Sequence, residues 1–546
     1  MLRKLAAIGV FAMALAPSAY LAWTLRAMPH LGFYHDDSIY WVSARSLAEG
    51  HGYRIQSLPG EPYQTKYPPL YPVMLAGIWK WHPGFPSNLP MATLFAWLWL
   101  PAYLALAWTF FRQVGLGRWE QRGLVLAAGL SPVAVVFSFS LMPELLFTAL
   151  LLASLILAER AGAPCAARWL PVLAGLCGAL AYLTKSSAAP LLLSVPVCFA
   201  MRRQLRNAAL FLVAMLPAPL AWQWWVSRHL SASWDLVTLY YTNYLGFQLY
   251  NVPWRDLPLV AWHNLDGLLT GAGKLLTFDV PYGSVYLERV VAVAAIAGCV
   301  RLARRTQKLQ YPLAALGFAL LMLVWHFIPD QRFVFPLYPI LAAGLWTELK
   351  NVCRSLQLAW NKPALADRCA AWAGAGVLAL LAAFVIFTTI FGLFRFLPGL
   401  FEMYRADLEA RRPAYVWIAR NVPAGASVFA YDDPILFLYT GRKSCSLPVP
   451  PKFYYHHDTA GIDALLDSIP DFAREHGLSY AFLTGGDFYR DLHASGAQRL
   501  IHAVQSSSAF QLLYSTPIVA VYGFQVAPPD PQRTTRQGTQ TARIQQ

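Results

Sequence analysis

The sequence predicts an α-helical protein that crosses a membrane many times and carries a small α/β domain in its C-terminal part. Three observations carry that prediction. Hydrophobic residues make up 57% of the 546 positions and charged residues only 13%, against roughly 45–50% and 25% in soluble domains. That balance excludes a disordered chain, a coiled coil and an ordinary cytosolic enzyme, because only lipid tolerates so much apolar surface. The apolar residues also fall in runs of near-span length, and alternate linkers between those runs are basic. From about residue 400 the composition changes, with more charge, more turn residues and alternating strand-like and helix-like segments. A mean hydropathy of +0.41 agrees, and 20 Trp suit both interfacial belts and packed bundles.

The first run covers residues 5–25, behind Arg3 and Lys4. A cleaved signal peptide is the competing reading, with Ala14-Leu15-Ala16 as its site. Pro17 directly after it and the length of the run favour a retained helix with a cytoplasmic N-terminus. Further runs lie near 89–111, 122–140, 143–158, 169–184, 187–201, 207–226, 286–300, 311–328, 333–347 and 370–391. Together they lead to an expectation of about eleven spans. The segments 112–121, 159–168, 202–206, 301–310 and 348–369 are each basic, which the positive-inside rule assigns to the cytoplasm. The same parity puts the C-terminal domain outside. The short, Pro-flanked run near 70–81 reads as an interfacial helix.

The domain plan is therefore a membrane part, residues 1–399, with long outer loops at 28–88 and 227–285. An extracytoplasmic α/β domain follows at 400–526, with strands expected around 428–431 and 480–483 and helices around 415–420 and 462–475. Residues 527–546, rich in Pro, Gln, Thr and Arg, are expected to be disordered. The net charge of +15 sits in the short linkers, which argues against nucleic acid as a partner. Seven Cys without a CxxC argue against a disulfide framework or a zinc cluster.

The residues able to carry chemistry cluster at the outer ends of the expected spans. Asp36 and Asp37 open the first outer loop directly after a span. Two adjacent carboxylates in a cavity could act as general base or metal ligands. On spacing alone, a solvated helix cap is the stronger reading. Lys66 precedes Tyr67-Pro68-Pro69-Leu70-Tyr71-Pro72, a stiff approach to a helix, and could meet a phosphate or snorkel to headgroups. Glu144 opens the fourth span, where the helix dipole also favours an acid. Lys185 sits at an outer turn, against the positive-inside trend. Arg332 lies at the mouth of a Pro-broken run, and its guanidinium fork suits a phosphate, Asp330 or headgroups. His326 reads as a packed core residue. Asp432-Asp433 and Thr484-Gly485-Gly486-Asp487 read as turns, and His456-His457-Asp458 is weak as a metal site without a second ligand set.

The Asp36-Asp37 pair, Tyr40, Ala44-Arg45-Ser46-Leu47-Ala48-Glu49-Gly50-His51-Gly52-Tyr53 and Tyr67-Pro68-Pro69-Leu70-Tyr71-Pro72 together resemble the GT-C glycosyltransferases. The nearest branch looks like the bacterial protein-mannosyltransferase-like group, which itself resembles the enzymes that move aminoarabinose onto lipid A. Trp417-Ile418-Ala419-Arg420-Asn421-Val422-Pro423 and Leu438-Tyr439-Thr440-Gly441-Arg442 resemble that group's outer domain. The resemblance implies a bacterial inner-membrane enzyme with a polyprenyl-phosphate sugar donor and an extracytoplasmic glycan, lipid or protein acceptor. It implies Asp36 as general base in an inverting displacement, Asp37 as its support and Glu144 as a second acidic site. It casts Lys66, Lys185 and Arg332 as donor-phosphate ligands. It makes no cofactor certain, and leaves open a divalent ion at Asp36 and Glu144. The competing classes are a transporter or flippase of lipid-linked sugars and a non-catalytic envelope-assembly partner. The absence of repeated halves and of charges near mid-span weighs against transport.

Overall fold

The computed structural model describes residues 2–26, 31–233, 235–250, 252–278, 284–325, 327–488 and 509–524. The expected disordered tail, 527–546, and His326 lie outside the described residues. The chain divides into two compact units: residues 1–410 together with 450–457, and residues 411–449 together with 458–546.

The first unit is an α-helical membrane bundle. The apolar runs form helices at nearly the expected positions, among them Leu2–Thr24, Leu170–Thr184 and Leu365–Phe391. Several are interrupted for local reasons. Pro132 and Ser131 break the third run into Arg118–Leu130 and Pro132–Phe139, bent by 56°. Pro336 and Pro339 cut the run after Arg332 into Gln331–Val334, a 3-10 turn Phe335–Leu337 and the helix Tyr338–Trp360, since each proline removes an amide donor. By length and apolarity alone, four of the described helices can cross a membrane, or five if the bent pair is one span. The others are shorter, less apolar or more charged. The two long loops are largely helical as well: Asp36–Ala48 and Leu70–Trp81 in the first, and Leu236–Thr242, Tyr244–Leu249 and Leu257–Thr277 in the second.

Ion pairs sort the linkers of this bundle into two sets. Lys350 meets Glu120 at 2.7 Å, Arg301 meets Glu348 at 2.7 Å, and Arg202 meets Glu159 at 3.0 Å and the Gln307 carbonyl at 3.3 Å. These contacts join all five basic segments. A second set joins Asp36, Glu144, Lys185 and Arg332. Glu144 and Glu159 lie at opposite ends of the 18-residue helix Glu144–Ala161, which is about 27 Å long at 1.5 Å per residue. The two acids, and with them the charged sets, are thus about 22 Å apart along the helix, most of the thickness of a hydrocarbon core, ~30 Å.

The second unit is the α/β domain. Its five strands run in the order β2-β1-β3-β5-β4, with β1 (Ser427–Ala430), β2 (Lys443–Cys445), β3 (Leu478–Thr484), β4 (Phe510–Ser515) and β5 (Val519–Phe524). β1 pairs in parallel with β2 and β3, while β5 is antiparallel to both β3 and β4. The expected strands therefore correspond to β1 and β3, and the expected helix 462–475 is two helices, Thr459–Asp467 and Ile469–Glu475. Pro470, at the second position of the later helix, fits a first turn where its missing amide is not needed.

Candidate active site

Asp36 and Asp37 occupy the first turn of the helix Asp36–Ala48, where the positive end of the helix dipole favours carboxylates. They face different surroundings. Asp37 is fully buried, and its Oδ1 accepts the amides of Gly32 at 2.9 Å and Ser38 at 2.6 Å. It ties the preceding loop to the helix start. Asp36 instead accepts the Tyr67 hydroxyl at 2.6 Å on Oδ1 and the Arg332 guanidinium on Oδ2.

Lys66 and Tyr67 are held beside that helix by a set of backbone contacts. Gln64 Oε1 accepts both of their amides, at 3.0 and 3.2 Å, and Tyr53 donates to the Tyr67 carbonyl at 2.8 Å. Thr65 donates to the Thr242 carbonyl at 2.7 Å. Tyr67 and Tyr71 pack on Tyr40 with ring centroids 4.7 and 5.6 Å away. The Lys66 ammonium donates to the Tyr240 carbonyl at 2.7 Å and lies 4.4 Å and 4.9 Å from the Tyr240 and Tyr244 ring centres, within cation–π range.

Glu144, fully buried at the first position of its helix, is the junction of two cations. Its Oε1 accepts Lys185 Nζ at 3.0 Å and Arg332 Nε at 2.8 Å. Lys185 sits at the C-terminal end of the helix Leu170–Thr184, and its amide closes the last turn onto the Ala181 carbonyl. Arg332 therefore spans both acids, with Nε on Glu144 and Nη2 on Asp36.

Arg332 is placed by the segment in front of it. That segment lies on one face of the helix Leu257–Thr277, built from Asn264, Gly267 and Gly271. Asn264 Nδ2 donates to the carbonyls of Met322, Leu323 and Trp325 at 3.2, 3.0 and 2.9 Å, closing the end of the helix Gln310–Met322. A Cβ on Gly267 would stand 2.6 Å from the Pro329 carbonyl oxygen, and one on Gly271 would stand 2.7 Å from the Asp330 carbonyl carbon. The two glycines let the backbone lie directly on the helix. Asp330 then caps the turn by accepting the Arg332 amide at 2.9 Å.

Burial pushes the Asp36 carboxyl upward, but Arg332, Lys66 and the Tyr67 hydroxyl outweigh it and hold the group well below the usual carboxylate range. Burial dominates at its neighbour, and the Asp37 carboxyl is pushed up to about 6. Burial also drives the Lys66 ammonium down to about 8, with Asp36 acting against the fall. The site thus holds an ionised carboxylate among cations, with a second carboxyl kept apart as a cap.

The five expected residues Asp36, Lys66, Glu144, Lys185 and Arg332 are brought to one face of the bundle, while Asp37 is turned away into backbone amides. A divalent ion does not suit this arrangement. Arg332 fills the space between Asp36 and Glu144, and among the described residues no three His, Cys, Asp or Glu side chains are grouped to hold one. His456 pairs with Asp256 at 3.0 Å, and Asp458 caps its own helix by accepting the Gly461 amide at 2.8 Å. Thr484 and Asp487 close a turn on each other at 2.6 Å. Sequence reasoning quoted Tyr67 only as part of a motif and did not reach Tyr240, Tyr244, Asn264, Gly267 or Gly271. The Gly-x-x-x-Gly spacing of the last pair was the available signal, since it marks a close approach on a helix.

The bundle, with its charged mouth and its separate α/β unit, has the fold of the GT-C glycosyltransferases. Three solved structures carry the likeness. ArnT from Cupriavidus metallidurans, in the apo state, is 13% identical over 96% of this chain and 100% of its own, with a TM-score of 0.50. The same protein bound to undecaprenyl phosphate matches at 13% identity over 96% and 99%, with a TM-score of 0.50. The archaeal oligosaccharyltransferase AglB from Archaeoglobus fulgidus, in complex with an inhibitory peptide and a dolichol-phosphate, is 12% identical over 97% of this chain and 75% of its own, with a TM-score of 0.53. No protein-family model and no curated protein sequence matches the chain.

Proposed function

We propose that the protein is a glycosyltransferase that moves a sugar from a polyprenyl-phosphate donor to the hydroxyl of an extracytoplasmic glycolipid, polysaccharide or protein. The observation that carries this reading is Arg332 spanning Asp36 and Glu144, with Lys185 on the same acid and Lys66 within electrostatic reach of Asp36. Three cations against Asp36 and Glu144 leave one positive charge in excess, which a sugar phosphodiester would neutralise. The lipid phosphates bound to ArnT and AglB are in keeping with such a donor.

In the proposed reaction the acceptor hydroxyl gives its proton to the Asp36 carboxylate as its oxygen attacks the anomeric carbon. The bond from that carbon to the phosphate oxygen breaks, and the electron pair leaves on the lipid phosphate. Arg332, Lys66 and Lys185 stabilise the departing charge, an effect worth several kcal/mol when the donors are fixed in advance. A single displacement inverts the anomeric centre. Tyr67 orients Asp36, Glu144 holds two cations in register, and Asp37 fixes the helix start. The five joined basic segments support a cytoplasmic side for their own face, and with it an extracytoplasmic site in a bacterial inner membrane.

The test is Asp36→Asn. Transfer should be lost while undecaprenyl phosphate still binds. Retained transfer would remove the general base and the reading with it. A non-catalytic assembly partner would keep its function in the same variant.

A further inference from the structure

Residues 450–457 belong to the membrane unit, although Val449 before them and Asp458 after them belong to the α/β unit. This strap begins at Pro450-Pro451 and forms one short helix, Pro451–Tyr455. Tyr455 is its anchor. The side chain is buried against Val252 and Val260, and its hydroxyl lies 2.9 Å from the Trp325 carbonyl and 3.1 Å from Asn264 Oδ1. Asn264 holds the same break through its amide. His456 on Asp256 and His457 against the His263 ring add contacts on the same helix side.

The Trp325 ring leads from this anchor to the charged site. It packs on Tyr244 and Phe333, with centroids 5.0 and 5.9 Å away. Tyr244 borders the Lys66 ammonium at 4.9 Å. Phe333 borders Arg332 Cζ at 5.4 Å and Lys185 Nζ at 5.8 Å. One indole therefore touches the neighbours of all three cations, and its backbone is fixed by two side chains from outside its own segment.

We propose that Tyr455 is a positioning residue for the cation set: through the Trp325 carbonyl, the strap fixes the segment that carries Arg332 and the aromatic wall beside Lys66. The inference rests on the donor-site reading above for its consequence, and on the strap geometry alone for its cause. The two are separable. The phenol ring supplies the packing and the hydroxyl supplies the anchor, so Tyr455→Phe removes the second and keeps the first.

The experiment uses the full-length protein in detergent or nanodiscs. Hydrogen exchange is followed in peptides covering 323–331, and binding is measured with undecaprenyl phosphate. Tyr455→Phe should raise exchange in that segment about 2- to 12-fold, the loss of one net hydrogen bond. It should weaken lipid-phosphate binding roughly 2- to 30-fold, the range seen for coupling through packed networks, with the melting midpoint of the bundle kept. Tyr311→Phe serves as control, because it removes a buried hydroxyl without a hydrogen-bond partner from the other end of the helix Gln310–Met322; it should change neither readout. Unchanged exchange in Tyr455→Phe, or raised exchange with unchanged affinity, overturns the proposal. If the unaltered protein takes up no undecaprenyl phosphate, or if Lys66→Ala and Arg332→Ala bind it equally well, the donor-site reading fails instead. The exchange comparison then decides the strap by itself.

Discussion

Gly271→Ala adds one methyl group to the face on which the Arg332 segment rests. The new Cβ would stand 2.7 Å from the Asp330 carbonyl carbon and 2.9 Å from the Gln331 amide nitrogen, both backbone atoms with little freedom to turn away. Ordinary contact begins near 3.4 Å, so the backbone must retreat by about 0.7 Å, the difference between 3.4 and 2.7. Arg332 is the next residue. Its Nε–Oε1 bond to Glu144 is 2.8 Å, and a retreat along that line opens it to about 3.5 Å, the edge of a hydrogen bond. A charge-assisted bond from a well-placed Arg332 to the lipid phosphate would contribute about 1.5–3 kcal/mol. Its loss of alignment should therefore lower affinity for undecaprenyl phosphate by about 10- to 150-fold. Helix propensity acts the other way, since Ala is favoured over Gly by about 1 kcal/mol in a helix interior, so a fall cannot be assigned to a weakened helix. Binding by the purified protein in nanodiscs is the assay, with Gly376→Ala as reference, where an added Cβ meets nothing within 4 Å. Wild-type affinity in Gly271→Ala would refute the close-approach argument and the role given to Arg332.

Asp37→Asn should retain most transfer, within about tenfold, because the amide oxygen can still accept the Gly32 and Ser38 amides. Asp36→Asn should lose the roughly 10²- to 10⁴-fold that a positioned acid or base supplies, so initial rates on the two variants separate the adjacent acids. Glu144→Gln leaves Lys185 and Arg332 short of a buried negative charge, at a cost approaching the ~3–5 kcal/mol of a broken buried pair. Its melting midpoint should fall, and added undecaprenyl phosphate should raise it by more than in the wild type, since the ligand supplies the missing charge. Lys66 is pushed down to about 8, so its charge is present below that pH and lost above it. Lipid-phosphate affinity should fall between about pH 7.5 and 9.5, a window in which the phosphate, with a second pKa of about 6, no longer titrates. Lys66→Arg should flatten that limb, and an unchanged slope would separate Lys66 from the phosphate.

The sequence by itself determined the bundle and the chemical kinds of residue at its mouth. Lipid cannot satisfy a free amide or a lone charge, so apolar runs, prolines and basic linkers are written locally and can be read locally. The same constraint made Asp36, Glu144, Lys185 and Arg332 conspicuous, each a charge at the end of an apolar run. Which acid meets which cation was decided only by the tertiary structure. Arg332 is 296 positions from Asp36 and 188 from Glu144, and nothing along the chain ranks those partners above others. The different fates of Asp36 and Asp37 also depended on the fold, because adjacent positions on a helix point about 100° apart and only the packed neighbours decide which direction holds a cation. The cradle of Gly267 and Gly271 and the strap at Tyr455 were written in residues with no charge to announce them. Their effect comes from the backbone that approaches them, and that approach exists only once the helices have packed.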